Sequence, residues 1–222
     1  LFALPLYDGG MDLFSVLFFR YLFAIPILAI MLKLRRRDFS IKKDDITPLL
    51  ILGVLFAMSS ITLFSSYNHM DAGVASTILF VYPIMVALIM FIFFKEKISK
   101  MTMACIAVAM VGIALLCKSG DGAMISMKGL LFVLGSALSY SIYIVYINKS
   151  RIKGMATIKV TMYVLTVGWF IFAIRALITG ELNMPSSEQW YLWGNVLALA
   201  IFPTIISLIC TTEAIQCIGS TP

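Results

Sequence analysis

Apolar stretches almost free of charge follow one another along this chain and constrain its fold more than any other feature. They cover residues 13–32, 46–70, 72–94, 101–117, 129–148, 160–174 and 189–212, and Arg20 is the charged residue inside the first. A hydrocarbon core of roughly 30 Å needs about 20 helical residues, so most of these stretches can cross a bilayer. The two shortest, 101–117 and 160–174, reach that length by tilting or by including flanking polar residues. The pattern predicts an all-α, polytopic transmembrane helix bundle.

Composition supports this prediction, since 61% of the residues are apolar and only 13% are charged. Soluble domains carry about 25% charged residues. A soluble protein of 222 residues could not bury so much apolar surface in one core. The lipid bilayer is therefore the first partner that the sequence predicts.

The basic residues lie in alternate gaps between the apolar stretches. Segments 33–45, 95–100 and 148–159 hold 13 of the 17 lysines and arginines, whereas the other gaps carry mainly acidic residues. Cytoplasmic loops of membrane proteins are enriched in Lys and Arg, so these three loops are predicted to be cytoplasmic in a multi-pass protein of the plasma or inner membrane. The same topology, with anionic lipid headgroups, explains the net charge of +6, and no nucleic-acid partner is expected.

The orientation also assigns the two ends of the chain. Residues 1–7 resemble the outer end of a helix, and residues 218–222 follow a helix that reaches the cytoplasmic face. We therefore expect a partial first helix, seven whole helices and a remainder that lies beyond residue 222.

Two charged residues stand out because an intramembrane charge is costly and often functional. At about 1.5 Å per residue, Arg20 lies roughly 12 Å below the surface marked by Asp12. It is either a substrate or carboxylate contact, or a structural residue bonded to carbonyls of a neighbouring helix. Glu213 ends the last stretch near the cytoplasmic face, where it is either a proton-coupling carboxylate or a solvated interfacial side chain.

Pro26, Pro83 and Pro203 interrupt three of the predicted helices at mid-depth. Each proline lacks an amide donor, frees the carbonyl four residues earlier and bends its helix. In a bilayer the freed carbonyls need other partners, such as neighbouring helices, side chains or water. Such kinks suit a transporter that changes shape, although a static bundle also tolerates them.

Hydroxyl and phenol side chains line two of the predicted helices. Ser59 and Ser66 share one helical face with Thr62, and Ser136 shares another with Tyr140 and Tyr143. Helix–helix contacts would explain the serines, and Gly135 with Ser139 forms a small-xxx-small pair that lets helices approach closely. Tyrosine usually lies at the membrane interface, so Tyr82, Tyr140 and Tyr143 at mid-depth indicate a polar interior or substrate path.

The sequence offers little for an enzyme. It lacks a phosphate-binding GxxxxGK[ST] loop, and its one histidine, His69, lies in a tight outer turn. The four cysteines show no CxxC spacing, so neither a metal site nor a cofactor is expected. The chain is predicted not to be an enzyme.

The order of several segments resembles the drug/metabolite transporter superfamily, EamA-type. The segment SVLFFRYLFAIPIL (15–28) resembles the second helix of that family, and DAGVASTILFVYPIMVALIMFIFFKEKIS (71–99) resembles its fourth. ACIAVAMVGIALL (104–116) and GLLFVLGSALSYSIYIVY (129–146) resemble its fifth and sixth helices, and TEAIQCIGSTP (212–222) the junction into its ninth.

The resemblance implies ten helices in two five-helix halves of opposite orientation, an inverted repeat. The chain would then run from late helix one to the start of helix nine, with a first repeat at 1–117 and a second at 118–222. The family places a central cavity among several helices, and the residues of this chain at those positions are Ser59, Ser66, Tyr82, Ser136, Tyr140 and Ser207. Arg20 corresponds to an arginine of the second helix.

These observations predict a secondary transporter that moves a small metabolite or amino acid by alternating access, and the resemblance implies export. A non-transporting membrane scaffold and a membrane-embedded enzyme are the alternatives. The predicted partners are the bilayer and a small-molecule substrate, and a homodimer stays open as the assembly.

Overall fold

The computed structural model describes residues 6, 10–36, 38–95, 104, 107, 108, 111, 112, 126–180, 182 and 190–218. Its elements in chain order are α1 (Leu13–Leu34), α2 (Lys43–Ser66), α3 (Ala72–Leu79), α4 (Tyr82–Phe94), α5 (Met127–Lys149), a 3-10 turn (Arg151–Gly154), α6 (Thr157–Thr179), α7 (Trp190–Ala200), a π-helical segment (Ile201–Ile206) and α8 (Ser207–Ile218). Every element in these ranges is helical, which confirms the all-α class.

Six helical segments among the described residues are long and apolar enough to cross a membrane. They are Leu13–Leu34, Lys43–Ser66, Ala72–Phe94, Met127–Lys149, Thr157–Thr179 and Tyr191–Ala214. The short stretch 160–174 becomes a helix of 23 residues because it includes the flanking Lys159 and Arg175. The predicted partial helix at 1–7 and the predicted span at 101–117 lie largely outside the described residues.

Side-chain caps fix where two of the helices begin. The Asp12 carboxylate accepts hydrogen bonds from the amides of Phe14 and Ser15 at the start of α1. Asp71 accepts from the amides of Gly73 and Val74 at the start of α3. These amides have no partner within their own helix, so each cap stabilises its helix by roughly 1 kcal/mol.

The core is formed where α2 packs against α5 and α6, and α1 packs against α6 and α7. A Cβ atom built on Gly53 of α2 would lie 2.4 Å from Val167 Cβ of α6, and one on Gly168 of α6 would lie 2.6 Å from the Tyr21 ring of α1. The glycines that permit close helix approach are therefore Gly53 and Gly168. A Cβ built on Gly135 would meet no described atom within 4 Å, so its role in close helix approach stays a prediction.

The three prolines affect their helices differently. The span Ala72–Phe94 is broken into α3 and α4 by a turn at residues 80–81, just before Pro83. Pro203 lies in the π-helical segment, where the ordinary hydrogen-bond ladder is interrupted. Pro26 lies within α1, which continues from Leu13 to Leu34 without a break. The bend at Pro26 therefore stays a prediction.

The segment between α1 and α2 is tied to the start of α6. The Tyr163 hydroxyl donates to the Phe39 carbonyl at 2.6 Å, and Lys159 Nζ donates to the Ser40 carbonyl. The Ser40 hydroxyl and amide donate to the Asp38 carboxylate and hold the pKa of that carboxyl below its usual value. We call this side of the bundle the basic end, because α1 and α5 end there and α2 and α6 begin there among the basic segments.

At the opposite end, α1 and α6 are joined through Arg175. Its guanidinium lies over the Phe14 ring and 4.0 Å from the Asp12 carboxylate. Trp193 of α7 packs edge-on against Phe19 and Phe23 of α1. The Trp193 ring therefore fills a contact between α7 and α1.

Candidate functional site

Arg20 joins α1 to the π-helical segment. Its Nε donates to Thr204 Oγ1 at 2.5 Å, and the residue is buried, with 7% of its surface exposed. The guanidinium carbon also lies 5.6 Å from the ring centre of Tyr21 and 5.4 Å from that of Phe64. Arg20 therefore points into the bundle, and its ring contacts are cation–π interactions.

Thr204 links this arginine to the irregular backbone around Pro203. The Thr204 hydroxyl donates to the Leu199 carbonyl at 2.9 Å. Leu199 lies four residues before Pro203, so its carbonyl is the one that the missing proline amide leaves unpaired. One hydroxyl thus satisfies the freed carbonyl with its proton and accepts from Arg20 with its oxygen.

Two pairs of hydroxyl groups connect α2 to its neighbours. Ser59 Oγ lies 3.0 Å from Ser136 Oγ of α5, and Ser136 Oγ donates to the Ser59 carbonyl at 2.8 Å. The next residue of α2, Ser60, faces a different helix, and its Oγ lies 2.8 Å from the Tyr21 hydroxyl of α1. All four side chains are buried. Ser59 and Ser136 are therefore brought together, in a contact that holds α2 against α5.

The predicted tyrosines form part of a row of aromatic rings. Ring centres lie 5.1 Å apart for Tyr82 and Tyr140, 5.7 Å for Tyr140 and Tyr143, 5.7 Å for Tyr143 and Phe56, and 6.0 Å for Phe56 and Tyr21. We call these five residues the aromatic row. It runs from α4 through α5 and α2 to α1, where Tyr21 borders Arg20. The tyrosines at mid-depth thus belong to a continuous series of ring contacts that ends beside Arg20.

Two buried hydroxyls beside this row form no hydrogen bond of normal geometry with the residues that the structure describes. They belong to Tyr143 of α5 and Thr212 of α8, and both residues are fully buried. Thr212 is close enough to interact with the Tyr143 hydroxyl, while Thr211 lies near Tyr140 in the same way. An unpaired buried hydroxyl costs about 1–3 kcal/mol. A group that forms a hydrogen bond with either hydroxyl would therefore stabilise the protein.

The other predicted cavity residues are not part of this cluster of contacts. Ser66 is buried at the end of α2 and its hydroxyl donates to the Leu63 carbonyl of its own helix. Ser207 begins α8 and is exposed. Their assignment to a substrate path stays a prediction.

Glu213 lies apart from Arg20, at the basic end. Its carboxylate accepts a hydrogen bond of 2.6 Å from Thr157 Oγ1, and both residues border a cavity of about 280 Å³ that Arg35 also lines. Glu213 is exposed and also bonds to the first residue of α6, so both interpretations of this side chain, proton coupling and interfacial solvation, stay predictions.

Sequence reasoning missed several residues of these contacts. Thr204 carried a recognisable signal, since a hydroxyl directly after a mid-helix proline can reach the carbonyl that the proline frees. Ser60 and Phe56 carried none, because their importance depends on which helices lie next to α2. Thr157 carried none either. It is the first residue of α6, and its partner Glu213 lies 56 residues further along the chain.

Known proteins resemble this chain over most of its length. A model of the EamA-like transporter family matches residues 6–117 and 127–221. The uncharacterized transporter YvbV of Bacillus subtilis (strain 168) is 26% identical over 145 residues, which are 65% of this chain and 45% of the relative. The uncharacterized transporter YdfC of the same organism is 27% identical over 184 residues, which are 82% of this chain and 58% of the relative.

The chain thus spans about half the length of these curated relatives. A solved crystal structure, of a protein described without a function, matches the fold with a TM-score of 0.72, 18% identity, and coverage of 96% of this chain and 75% of the other. The family match covers both halves of the chain, and the six apolar spans place it in the lipid bilayer. The chain is therefore a multi-pass integral membrane protein that belongs to the EamA-like transporter family.

Proposed function

We propose that the full-length protein is a secondary transporter that moves a small metabolite or amino acid across the plasma or inner membrane by alternating access, in the direction of export. The observation that carries the proposal is the buried contact of Arg20 with Thr204. It joins a charged side chain of α1 to the one π-helical segment among the described residues. A charge held at membrane depth beside an interrupted helix is typical of transporter binding sites.

The proposal includes two repeats, at 1–117 and 118–222, and cytoplasmic loops at 33–45, 95–100 and 148–159. The two separate stretches that the family model matches, 6–117 and 127–221, support the repeats. The concentration of basic residues at one end of the bundle supports the orientation. The aromatic row also brings phenol side chains from α4 to Tyr21, which borders Arg20.

Interrupted helices provide the means to change shape. The α3–α4 break and the π-helical segment both lie within spans that would otherwise be continuous rods. Rocking of one repeat against the other requires such places, because an unbroken helix resists bending. A substrate that contacts Arg20 would also act on the π-helical segment, because Thr204, the partner of Arg20, lies in that segment.

The test is uptake or counterflow in vesicles that contain the full-length protein, screened over amino acids and other small metabolites. We expect at least one compound to move faster than in empty vesicles. Arg20→Ala should reach the membrane and lose transport, whereas Arg20→Lys should keep part of it. If no compound moves above the empty vesicles, the proposed function is wrong. Equal misfolding of both variants would assign Arg20 a structural role alone.

A further inference from the structure

A cavity of about 280 Å³ opens at the basic end, away from Arg20 and the aromatic row. It lies between the end of α1, the start of α6 and one face of α8. Its walls include Leu32, Arg35, Thr157, Ile158, Ile209 and Glu213. The volume is close to the lower end of the range for metabolite pockets, so only a small ligand fits.

The walls of this cavity combine opposite charges with an apolar floor. Leu32 and Arg35 are three residues apart at the end of α1, and Ile209 and Glu213 are four apart on α8. That spacing places each apolar residue and its charged neighbour on one helical face. Leu32 and Ile158 are buried and Ile209 is half-buried. The cavity therefore offers one cation, one anion and an apolar surface in the same space.

The Glu213 carboxylate already has a neutral partner. Thr157 Oγ1 donates to it at 2.6 Å, and Thr157 is the first residue of α6. A hydroxyl contributes one hydrogen bond and leaves the charge of the carboxylate uncompensated, whereas an ammonium group would supply a charge-assisted bond. The existing contact can thus be exchanged for a stronger one when a cationic group enters.

Charge balance decides the class of ligand. A ligand with only a carboxylate meets the carboxylate of Glu213, and a ligand with only an ammonium group meets the guanidinium of Arg35. A zwitterion avoids both repulsions by pairing its ammonium group with Glu213 and its carboxylate with Arg35. The apolar floor favours a branched or otherwise apolar body between the two charged ends.

We propose that this cavity is a binding site for a small zwitterion with an apolar side chain, held by Arg35 at one end and by Glu213 at the other. Its role as a loading site for transport rests on the proposed function. Entry of the ligand replaces the Thr157–Glu213 hydrogen bond, which ties α6 to α8. Binding here is therefore coupled to the contact between those two helices.

Three probes with closely matched branched bodies test the proposal. Leucine carries both charges, 4-methylpentanoate carries only the carboxylate, and 3-methylbutylamine carries only the ammonium group. Equilibrium binding of each would be measured on the purified full-length protein in lipid nanodiscs. We expect leucine to bind about three- to fivefold more tightly than either single-charge probe, because Arg35 and Glu213 are exposed and an exposed charge pair contributes no more than roughly that factor.

Variants separate the two ends of the site. Arg35→Gln and Glu213→Gln should each weaken leucine binding about three- to fivefold. Glu213→Gln should also reduce the difference in affinity between leucine and 4-methylpentanoate. Lys33→Gln and Asp44→Asn are matched controls, because both residues are exposed at the basic end and neither lines the cavity. Leucine binding should stay within about twofold in these controls.

Several results would overturn the proposal. They are no binding of any probe, binding of 4-methylpentanoate as tight as that of leucine, or equal losses in the controls and in the cavity variants. The outcome is separable from that of the proposed function. Leucine binding without transport of any compound would refute the transporter and leave the site, whereas transport of other compounds without probe binding would refute the site alone.

Discussion

Arg20 and Thr204 are 184 residues apart in the chain, yet the arginine Nε lies 2.5 Å from the threonine hydroxyl oxygen inside the bundle. The same hydroxyl donates to the Leu199 carbonyl, which Pro203 leaves without its usual partner. A charged side chain of α1 therefore stabilises an interrupted helix through one shared hydroxyl. Breaking this contact should affect both the arginine and the backbone around Pro203.

We predict that Thr204→Val destabilises the protein by about 1.5–3 kcal/mol, since it removes a hydrogen bond to a charged group and leaves a buried carbonyl unpaired. Thr204→Ser keeps the hydroxyl and should stay close to the parent protein. The free energy of unfolding would be measured by denaturant titration in mixed micelles. A double-mutant cycle with Arg20→Met should give a coupling of about 0.5–1.7 kcal/mol, as for interhelical hydrogen bonds in membranes. Additive effects within about 0.3 kcal/mol would contradict the shared hydroxyl.

We predict that Gly53→Ala disrupts the contact between α2 and α6. The added Cβ would lie 2.4 Å from Val167 Cβ and 3.2 Å from the Val164 carbonyl oxygen, and neither atom is the end of a flexible side chain. The helices must separate, at a cost of roughly 1–3 kcal/mol. Gly135→Ala is the control, because no described atom lies within 4 Å of its Cβ and alanine favours the helix. The same thermal stability for both variants would contradict the close approach.

Much of the fold follows from the sequence because bilayer-spanning helices are dictated by length and apolarity alone. The span at 129–148 corresponds to α5 at Met127–Lys149, and 160–174 extends to Thr157–Thr179 once Lys159 and Arg175 are included. Contacts between neighbouring helices are harder to predict from the sequence. The Ser59–Ser136 pair and the close approach at Gly53 depend on which helices are neighbours, and a sequence of uniformly apolar faces leaves that choice undetermined.

The candidate site likewise could be predicted from the sequence only in part. The burial of Arg20 follows from the cost of a charge in the membrane, and a special partner for the Leu199 carbonyl follows from Pro203. The identity of those partners depends on tertiary packing. The sequence indicates Glu213 as a charge near the cytoplasmic face, but its bond to Thr157 depends on α8 passing beside the start of α6.

We predict that the two roles of Asp12 can be separated by substitution. Its carboxylate caps α1 and lies 4.0 Å from Arg175, in a pair that is about one-third exposed. Asp12→Asn keeps the cap and should cost at most about 0.5 kcal/mol, because exposed ion pairs contribute little. Asp12→Ala loses the cap as well and should cost roughly 1 kcal/mol more. Thermal unfolding of the two variants would show this difference, and equal losses would assign the whole effect to the ion pair.

We predict opposite effects for two tyrosines that are equally buried. The Tyr21 hydroxyl lies 2.8 Å from Ser60 Oγ, whereas the Tyr143 hydroxyl lies near Thr212 without forming a hydrogen bond of normal geometry with a described residue. Tyr21→Phe should therefore lower the free energy of unfolding by about 0.5–1.5 kcal/mol, and Tyr143→Phe should leave it unchanged or raise it. If Tyr143 contributes its hydroxyl to a substrate path, Tyr143→Phe should lower transport at full stability. A clear loss of stability in Tyr143→Phe would show instead that its hydroxyl is already satisfied, by water or by a neighbouring side chain.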